Sequence, residues 1–477
     1  MQVFLQAKIV GISEFLLARL AGDSSEGFLG CSQWVSLLSE VLPRALLEEL
    51  GLSSVLLGSS GGGQILLVLP EESKPAAEQF LAAAAADMEH RSSGFLRLVW
   101  SFTENLGDWS DIRKRLADQL AARSATPLSS GVLSLISVPD AQYFESLGRK
   151  LRQATSIGWS SETPALLQLE GGKRAWPLGN ASNALPFGRH AALDDANENP
   201  APPHELAPRG DGYPAWGVLR GDVDLAGIRL RKTQSIDEYI RLSVMYKQFL
   251  AGELELLCAQ PEYWRKVSLI YTGGDDFAVY GTWDALLSVA REMQRVFSRF
   301  AQHNLAEFAG PEGKTISMAI ALAPSDTTSL GAVFEDCGAR LEAAKAADKD
   351  CIWVLGRILE WKQLAEASDL KDQLLKMIRV HGCSPQYLRD LCGMYRESPL
   401  RASRRQLRRE GERPWRYHRR IRRILAASRP NPRPARGEYR EARAALIANL
   451  IGRSALAVKL RPAGRVALEW ARLLADA

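Results

Sequence analysis

Residues 270–281 read I-Y-T-G-G-D-D-F-A-V-Y-G, and they decide how the rest of the sequence is interpreted. Apolar residues 267–271 and 277–280 flank two glycines and two aspartates, which predicts a β-hairpin with Asp275 and Asp276 at its tip. Gly273 and Gly274 leave room for a bulky ligand to approach the turn. Adjacent carboxylates repel each other unless a cation compensates, so the tip is a candidate Mg²⁺ site. The alternative is a solvated turn that uses the same residue types.

Length and composition limit the classes of protein that fit. The 477 residues suffice for about three domains, and the hydrophobic content of 46% supports folded cores. The net charge of +5 is small for this length, so it does not by itself imply a nucleic-acid partner. Six cysteines without a C-x-x-C pair argue against a disulfide framework or a zinc ribbon. With neither an export signal nor a long apolar run, the sequence predicts a soluble, cytoplasmic protein.

Residues 1–125 alternate strand and helix patterns in the order βαββαβ plus a helix, as in a ferredoxin-like palm. The predicted strands are 3–10, 54–58, 64–69 and 95–102, and the predicted helices are 31–50, one from residue 76, and 109–122. The hairpin tip at residues 58–63 is glycine-rich but has no carboxylate. Its backbone N–H groups suit a phosphate or a nucleotide, whereas it cannot hold Mg²⁺. The alternative is a flexible Gly/Ser loop.

Residues 126–213 differ from this pattern. A strand is predicted at residues 132–138 and a helix at residues 141–155. The following stretch, residues 171–214, is rich in Gly, Asn, Pro and Ala. It predicts a small insertion and a linker with weak order.

The βαββαβ order returns in residues 214–360, so the sequence predicts an α+β fold with two diverged copies of one palm. The predicted strands are 218–223, the two hairpin strands, 315–323 and 351–355, and the predicted helices are 235–257, 283–303 and 330–346. Residues of the 283–303 helix are apolar at helical spacing, which is typical of core packing.

Residues 361–477 predict an all-helical domain, with helices at 364–380, 385–395, 417–427, 438–450 and 463–475. Its middle is densely basic and interleaved with aromatic residues. This composition favours contact with RNA phosphates or an acidic partner protein, and the alternative is a solvated charged face. The candidate contact residues are Arg404, Arg405, Arg408, Arg409, Arg416, Arg419 and Arg420.

A second pair of carboxylates precedes the hairpin. The run R-G-D-V-D places Asp222 and Asp224 two residues apart, on one face of the first strand of the second palm. In a βαββαβ palm that strand lies beside the hairpin strands, so both residues should approach Asp275 and Asp276. Such a cluster could hold two Mg²⁺ (or Mn²⁺) ions for in-line nucleotidyl transfer.

The chain resembles the large subunit of type III CRISPR effector complexes, the Cas-ten or Csm-one family. The resemblance lies in W-G-V-L-R-G-D-V-D-L-A-G at 216–227, in the 270–281 motif, and in E-A-A-K-A-A-D-K-D-C-I-W-V-L-G at 342–356. It also includes the S-S-G-G-G of the first palm and the helical C-terminal domain. It implies synthesis of cyclic oligoadenylates from ATP when target RNA binds. It further implies a guide crRNA and Cas-seven-like, Cas-five-like and Cas-eleven-like subunits as partners.

The resemblance also implies roles for individual residues. Asp222, Asp275 and Asp276 would be metal ligands and catalytic, with Asp224 as a further candidate. Gly273 and Gly274 would approach the nucleotide. The implied triphosphate contacts are Lys345 and Lys349, and the implied lining of a second ATP site is Gly61, Gly62 and Gly63.

Three features depart from the family pattern. None of the six histidines precedes an aspartate, so an HD nuclease domain and DNA cleavage are not expected. No cysteine lies between Cys31 and Cys258, so no zinc is expected in the insertion. Lys8 occupies the strand position where the family often has an acid, which argues against metal binding by the first palm.

Two other functions fit parts of the sequence. G-G-D-D-F differs from the G-G-D-E-F pattern of diguanylate cyclases by one conservative residue, but such enzymes normally need one palm and a homodimer. The other alternative is a catalytically silent scaffold subunit that keeps the palm fold.

Overall fold

The computed structural model describes residues 1–17, 24–124, 141–160, 167–169, 174–179, 184–396, 415–428, 436–453 and 458–475. The chain divides into two compact units, which are residues 1–209, 215–317 and 321–339, and residues 210–214, 318–320 and 340–477. Helices and sheets are mixed throughout, which confirms the predicted α+β class at this level. We find no helix in the described segments with the length and apolar content of a membrane span.

The first sheet has the strand order β2-β3-β1-β4, and its neighbouring strands are antiparallel. Helices connect β1 to β2 and β3 to β4, so the βαββαβ element order predicted for residues 1–125 is present. A short helix α1, absent from the prediction, follows β1. The elements are β1 (Gln2–Val10), α1 (Ile12–Leu17), α2 (Ser25–Glu49), β2 (Leu57–Gly61), β3 (Gln64–Pro70), α3 (Lys74–Arg91), β4 (Arg97–Glu104) and α4 (Trp109–Ser124).

Helix α2 begins at Ser25, and the predicted start at residue 31 is wrong. The side chain of Ser24 caps the helix by accepting a hydrogen bond from Gly27 N at 3.2 Å. The glycines of this first part suggest a loop, yet Gly30 is needed for close helix packing. A Cβ on Gly30 would lie 1.8 Å from the backbone oxygen of Phe144 in α5 (Ala141–Lys150).

The turn between β2 and β3 also differs from the prediction. Residues 54–56 form a 3-10 turn capped by Ser53, so the strand starts at Leu57 and continues to Gly61. Gly61 pairs with Gln64, which leaves Gly62 and Gly63 as the two turn residues. Both have positive φ, at 57° and 75°, as a type I′ turn requires. Residues 61–64 are called the glycine hairpin below.

The insertion is better ordered than predicted. Strands β5 (Ser156–Trp159), β6 (Leu167–Leu169) and β7 (Arg174–Pro177) form an antiparallel sheet in the order β6-β5-β7. Residues 184–209 include α6 (Pro203–Leu206), and the side chains of Ala192, Ala201 and Leu206 are fully buried. Burial of these apolar residues outweighs the loop-forming composition. The predicted strand at residues 132–138 lies outside the described residues.

The second sheet has the strand order β13-β12-β11-β8-β10-β9. The core face predicted for the helix Trp283–Asn304 is confirmed, because Trp283, Met293 and Phe297 are at most 2% exposed. Helix α7 and strand β13 were not predicted. The elements are β8 (Trp216–Val223), α7 (Ala226–Arg231), α8 (Ile236–Cys258), β9 (Val267–Thr272), β10 (Asp276–Thr282), α9 (Trp283–Asn304), β11 (Ile316–Leu322), α10 (Leu330–Ala347), β12 (Cys351–Val354) and β13 (Arg357–Glu360).

The C-terminal region is mostly helical, but the prediction that it is all helical is wrong. Strands β14 (Ile451–Arg453) and β15 (Val458–Leu460) form an antiparallel pair. Two three-residue strands give too little periodicity to be seen in a sequence. The helices are α11 (Trp361–Arg379), α12 (Gln386–Arg396), α13 (Trp415–Ala427), α14 (Arg436–Leu450) and α15 (Pro462–Ala475).

Candidate active site

The predicted acidic hairpin is present between β9 and β10. Phe277 pairs with Thr272, and Gly273 N donates to the backbone oxygen of Asp276 at 2.7 Å, which closes the turn. Val223 N, at the end of β8, donates to the backbone oxygen of Asp275 at 2.8 Å. The tip is thus held from both neighbouring strands. Residues 272–277 are called the acidic hairpin below.

Asp222 lies directly opposite Asp276. The two residues are cross-strand partners in the antiparallel pair of β8 and β10, and both are half-buried. Directly opposed residues of an antiparallel pair have Cβ atoms roughly 5 Å apart. Two carboxylates at this separation, completed by substrate phosphate oxygens, match the ligand set that Mg²⁺ prefers. The donor set therefore fits the metal predicted from the sequence.

The carboxylate of Asp276 is held in one orientation. Tyr271 Oη donates to its Oδ2 at 2.8 Å. Its Oδ1 packs over Gly273, where an added Cβ would lie 2.0 Å away. Burial raises the pKa of Tyr271 well above its ordinary value, and the negative charge of Asp276 adds to this effect. The tyrosine hydroxyl thus stays protonated and remains a donor to Asp276.

Arg220 lies on the same side of the hairpin tip as Asp276 and Tyr271. It precedes Asp222 by two residues on β8, and its guanidinium lies 4.2 Å from the ring centroid of Phe334. Burial lowers the pKa of Arg220, but Tyr271, Cys337 and Asp276 together raise it above its ordinary value. Arg220 and Tyr271 were missed as site residues, although Arg220 shares a strand face with Asp222 by simple alternation.

Two cavities flank the hairpin tip, and each is lined by one of its adjacent carboxylates. The Asp276 cavity, of about 340 Å³, also contains Arg220, Tyr271 and Gly273 in its lining. The Asp275 cavity, of about 550 Å³, is lined by Gly274. Its basic lining residues are Lys8, Arg113 and Arg231. Both volumes are in the range of small-molecule sites.

The glycine hairpin, which belongs to the first sheet, lies between the two cavities. Gly62 lines both cavities, Gly63 lines the Asp276 cavity, and Gly61 lines the Asp275 cavity. A Cβ on Gly62 would lie 3.4 Å from Gly274 N, so the two hairpin tips are in contact. The positive φ of Gly62 favours glycine here, whereas an added Cβ would only reach ordinary van der Waals contact with the acidic hairpin.

Asp224 is in a different environment from the other three aspartates. It is 2% exposed, and its two carboxylate oxygens accept hydrogen bonds from Ser317 Oγ at 2.7 Å and Thr315 Oγ1 at 2.8 Å. Like Asp222, it lines neither cavity. Within the described part of the chain, no three His, Cys, Asp or Glu side chains are placed to share a metal ion. The predicted cluster of four carboxylates is therefore not found among these residues, because the strand ends at Val223 and its alternation stops there.

The predicted triphosphate lysines lie in the second compact unit. Lys345 Nζ pairs with Glu342 Oε1 at 3.3 Å, and Lys349 Nζ donates to the backbone oxygen of Lys345 at 3.3 Å. Lys349 has a positive φ of 56° in the middle of the α10–β12 connection. Their assignment to the triphosphate remains a prediction.

The basic contact residues are only partly described. Arg419 and Arg420 are exposed on α13, and Arg416 belongs to the same helix. The other four candidates, Arg404, Arg405, Arg408 and Arg409, lie outside the described residues. Contact with RNA or a partner protein remains a prediction for all seven.

Comparison with known proteins identifies the region around the acidic hairpin. Residues 215–353 match the family model described as Cas10/Cmr2, second palm domain. This region is therefore similar to the second palm domain of Cas10/Cmr2 proteins. The matched residues include the opposed carboxylates and both hairpin strands, and therefore the whole acidic side of the site.

Two curated proteins also align with part of this chain. The Cas10/Csm1 single-strand-specific deoxyribonuclease (subtype III-A) of Enterococcus italicus is 30% identical over 171 residues, which are 35% of this chain and 21% of that protein. The Cas10/Csm1 protein of Thermococcus onnurineus is 24% identical over 169 residues, or 32% of this chain and 20% of that protein. The alignments thus span about a fifth of each relative.

Solved structures share the fold over nearly the whole chain. The Csm1–Csm4 subcomplex of the type III-A CRISPR-Csm interference complex matches with a TM-score of 0.70 at 16% identity, covering 99% of this chain and 70% of that one. The Csm1–Csm4 cassette in complex with one ATP matches with a TM-score of 0.69 at 16% identity, with the same coverage. Together with the match to the Cas10/Cmr2 second palm model and the curated relatives, these matches confirm the resemblance to Cas10/Csm1 proteins.

Proposed function

We propose that the chain acts as the large subunit of a type III CRISPR effector complex and that its Cas10-type palm joins ATP molecules into cyclic oligoadenylates. One observation carries this proposal. Asp222 and Asp276 oppose each other at a hairpin tip that divides two nucleotide-sized cavities. A nucleotidyl transfer between two ATP molecules needs a place for each nucleotide and one charged centre between them.

We further propose that both sheets are ferredoxin-like palms. The order β4-β1-β3-β2 of the first sheet and the repeated βαββαβ element order support this reading. The proposed domains are a first palm (1–125), an insertion (126–213), the second palm (214–360) and a basic C-terminal domain (361–477).

In the proposed reaction, the 3′-hydroxyl oxygen of one ATP attacks the α-phosphorus of the other. A phosphodiester bond forms, the bond from the α-phosphorus to the bridging oxygen breaks, pyrophosphate leaves, and the hydroxyl proton is released. When bound by Asp222 and Asp276, Mg²⁺ would lower the pKa of the hydroxyl and compensate the phosphate charge. Tyr271 keeps the Asp276 carboxylate oriented for this task.

The other residues of the site would bind and orient the nucleotides. Lys8, Arg113 and Arg231 give the Asp275 cavity a positive charge that suits a triphosphate. The glycine hairpin offers backbone amides without side chains, so a nucleotide can approach closely. Lys8 thus adds a positive charge on the first sheet, where the family often has an acid.

The proposed substrate and partners also have support from the matching structures. Csm1–Csm4 cassettes with the same fold were solved with ATP, AMPPNP, cA3 and cA4. We therefore propose ATP as the substrate and a Csm4-type subunit, a guide crRNA and target RNA as partners. Absence of DNA cleavage by this chain stays a prediction that rests on the missing His-Asp pair.

The test compares wild type with the Asp275→Ala/Asp276→Ala double variant in the target-RNA-bound complex. With ATP and Mg²⁺, mass spectrometry should detect cyclic oligoadenylates from wild type, and the variant should lose at least about a hundredfold in rate. RNA affinity should remain unchanged. A parallel incubation with GTP tests the diguanylate cyclase alternative, and a wild type inactive with both nucleotides would favour the scaffold.

A further inference from the structure

A buried ion pair joins helices α2 and α8 beside the glycine hairpin. Glu40 and Lys247 are only 3% and 7% exposed. Lys247 Nζ lies 3.1 and 3.2 Å from the two carboxylate oxygens of Glu40 and 3.0 Å from Ser60 Oγ. Ser60 Oγ in turn donates to Glu40 Oε2 at 3.1 Å. The three donors of the ammonium group thus meet three acceptors.

Stability alone does not explain this pair. Burial lowers the pKa of Lys247, and the charge of Glu40 opposes that shift. A buried ion pair is often no more stabilising than apolar side chains of similar volume, because both charges lose their hydration. The pair instead fixes the position of Ser60 in β2, because both Glu40 and Lys247 form a hydrogen bond with its hydroxyl.

The hydrogen bonds of this group control the turn of the glycine hairpin. Ser60 immediately precedes Gly61, and Gly63 N donates to Ser39 Oγ of α2 at 3.2 Å. The turn is therefore attached to α2 on both sides. A Cβ on Gly61 would lie 3.0 Å from Lys247 Cδ, so α8 also packs directly against the turn. The turn itself contacts the acidic hairpin at Gly274.

We propose that Glu40 and Lys247 are positioning residues that keep the glycine hairpin in register with the acidic hairpin during nucleotidyl transfer. This inference rests on the proposed function, because it concerns the same site. Neither side chain lines the Asp275 or the Asp276 cavity. They act through Ser60 and the turn, which set where the two nucleotides meet.

The decisive variant replaces both charges at once. Glu40→Leu/Lys247→Met keeps the volume apolar and removes both buried charges together. Arg44, which also pairs with Glu40 Oε2 at 3.0 Å, is partly exposed and keeps its hydrogen bond to the backbone oxygen of residue 40, so the chain should fold. In the target-RNA-bound complex we expect kcat per folded complex to fall about tenfold through misplacement of the reacting groups. The KM for ATP should change by less than about twofold, because neither substitution replaces a residue that lines a cavity. Glu40→Gln, which keeps one acceptor oxygen that can bond to Lys247, should show a smaller fall.

Hydrogen exchange of residues 57–64 provides a second readout that needs no catalysis. We expect exchange there to be about tenfold faster in the double variant than in wild type. Glu312→Gln is the matched control, since Glu312 pairs with the buried Arg229 at 3.5 Å within the second palm. That variant should leave both kcat and hairpin exchange unchanged.

The outcomes separate this inference from the proposed function. A folded double variant with wild-type exchange at residues 57–64, or with faster exchange but wild-type kcat, overturns the positioning role. A wild-type complex that makes no oligoadenylate overturns the proposed function instead. In that case the exchange comparison still decides whether the ion pair holds the hairpin.

Discussion

The two hairpins that meet at the candidate site have the same glycine-rich character but opposite chemistry. The acidic hairpin has two carboxylates at its tip, and Asp276 has the cross-strand partner Asp222. The glycine hairpin has no charged residue, and its turn residues Gly62 and Gly63 need positive φ. The difference indicates separate roles for the two hairpins. The acidic hairpin supplies negative charge, and the glycine hairpin supplies backbone that a nucleotide can approach without meeting side chains. The predictions below test this division, in order of decreasing effect on turnover.

The largest effect should come from neutralising the opposed pair. Asp222→Asn and Asp276→Asn should each lower oligoadenylate synthesis by about a thousandfold, because electrostatic stabilisation supplies most of the catalysis of phosphoryl transfer. Initial rates of the target-RNA-bound complex measure this, with the exposed Asp326→Asn as the unaffected control. Equal rates in wild type and Asp276→Asn would show that the acidic hairpin does not supply the charge.

Two adjacent glycines of the acidic hairpin should respond very differently to alanine. A Cβ on Gly273 would lie 2.0 Å from Asp276 Oδ1, whereas a Cβ on Gly274 meets no atom within 4 Å. Gly273→Ala should therefore displace the carboxylate and lower kcat by about a hundredfold. Gly274→Ala adds a methyl group at the Asp275 cavity without displacing the carboxylate, so it should lower kcat much less than Gly273→Ala does. The same steady-state assay on both variants decides, and similar rates for the two would contradict the assigned orientation of Asp276.

The glycine hairpin should show a smaller effect. Gly62→Ala forces a side chain into positive φ and against Gly274 N, and we expect kcat to fall about tenfold. Gly51→Ala is the control, because Gly51 has a similar φ of 65° but no neighbour within 4 Å of an added Cβ. Both variants should lose about 1–2 kcal/mol in the free energy of unfolding. If turnover also falls in Gly51→Ala, backbone strain rather than the approach of the two hairpins explains the lower kcat of Gly62→Ala.

Asp224 should affect folding and leave turnover unchanged. Asp224→Ala leaves the hydroxyls of Thr315 and Ser317 without their acceptor, which should cost about 1–3 kcal/mol for each stranded group. Denaturant unfolding measures this loss. The rate per folded complex should match wild type. A thousandfold loss would instead indicate that Asp224 is a metal ligand.

Much of the architecture was predictable because it depends on local periodicity. The acidic hairpin, the core face of α9 and most C-terminal helices follow from spacing of apolar residues and turn residues. Failures came where a tertiary contact overrides composition. Gly30 lies inside α2 because the backbone of α5 crosses there, and the buried Ala201 belongs to an insertion whose composition resembles a loop.

The candidate site was predictable in part for the same reason. Asp222 and Asp276 belong to strands whose order follows from the βαββαβ pattern, so their proximity could be inferred. Asp224 lies one residue past the end of β8, where strand alternation no longer fixes its direction, so its role as a metal ligand remains a prediction. Glu40 and Lys247 are separated by more than two hundred residues and match no motif.

The amino-acid sequence by itself determined the α+β class, the acidic hairpin and the chemistry available at its tip, because these depend on residue type and short-range spacing. Only the tertiary structure decided that Asp275 and Asp276 line different cavities and that a buried ion pair holds the glycine hairpin. Such features depend on how separate elements pack, and packing brings together residues whose spacing in the chain carries no signal.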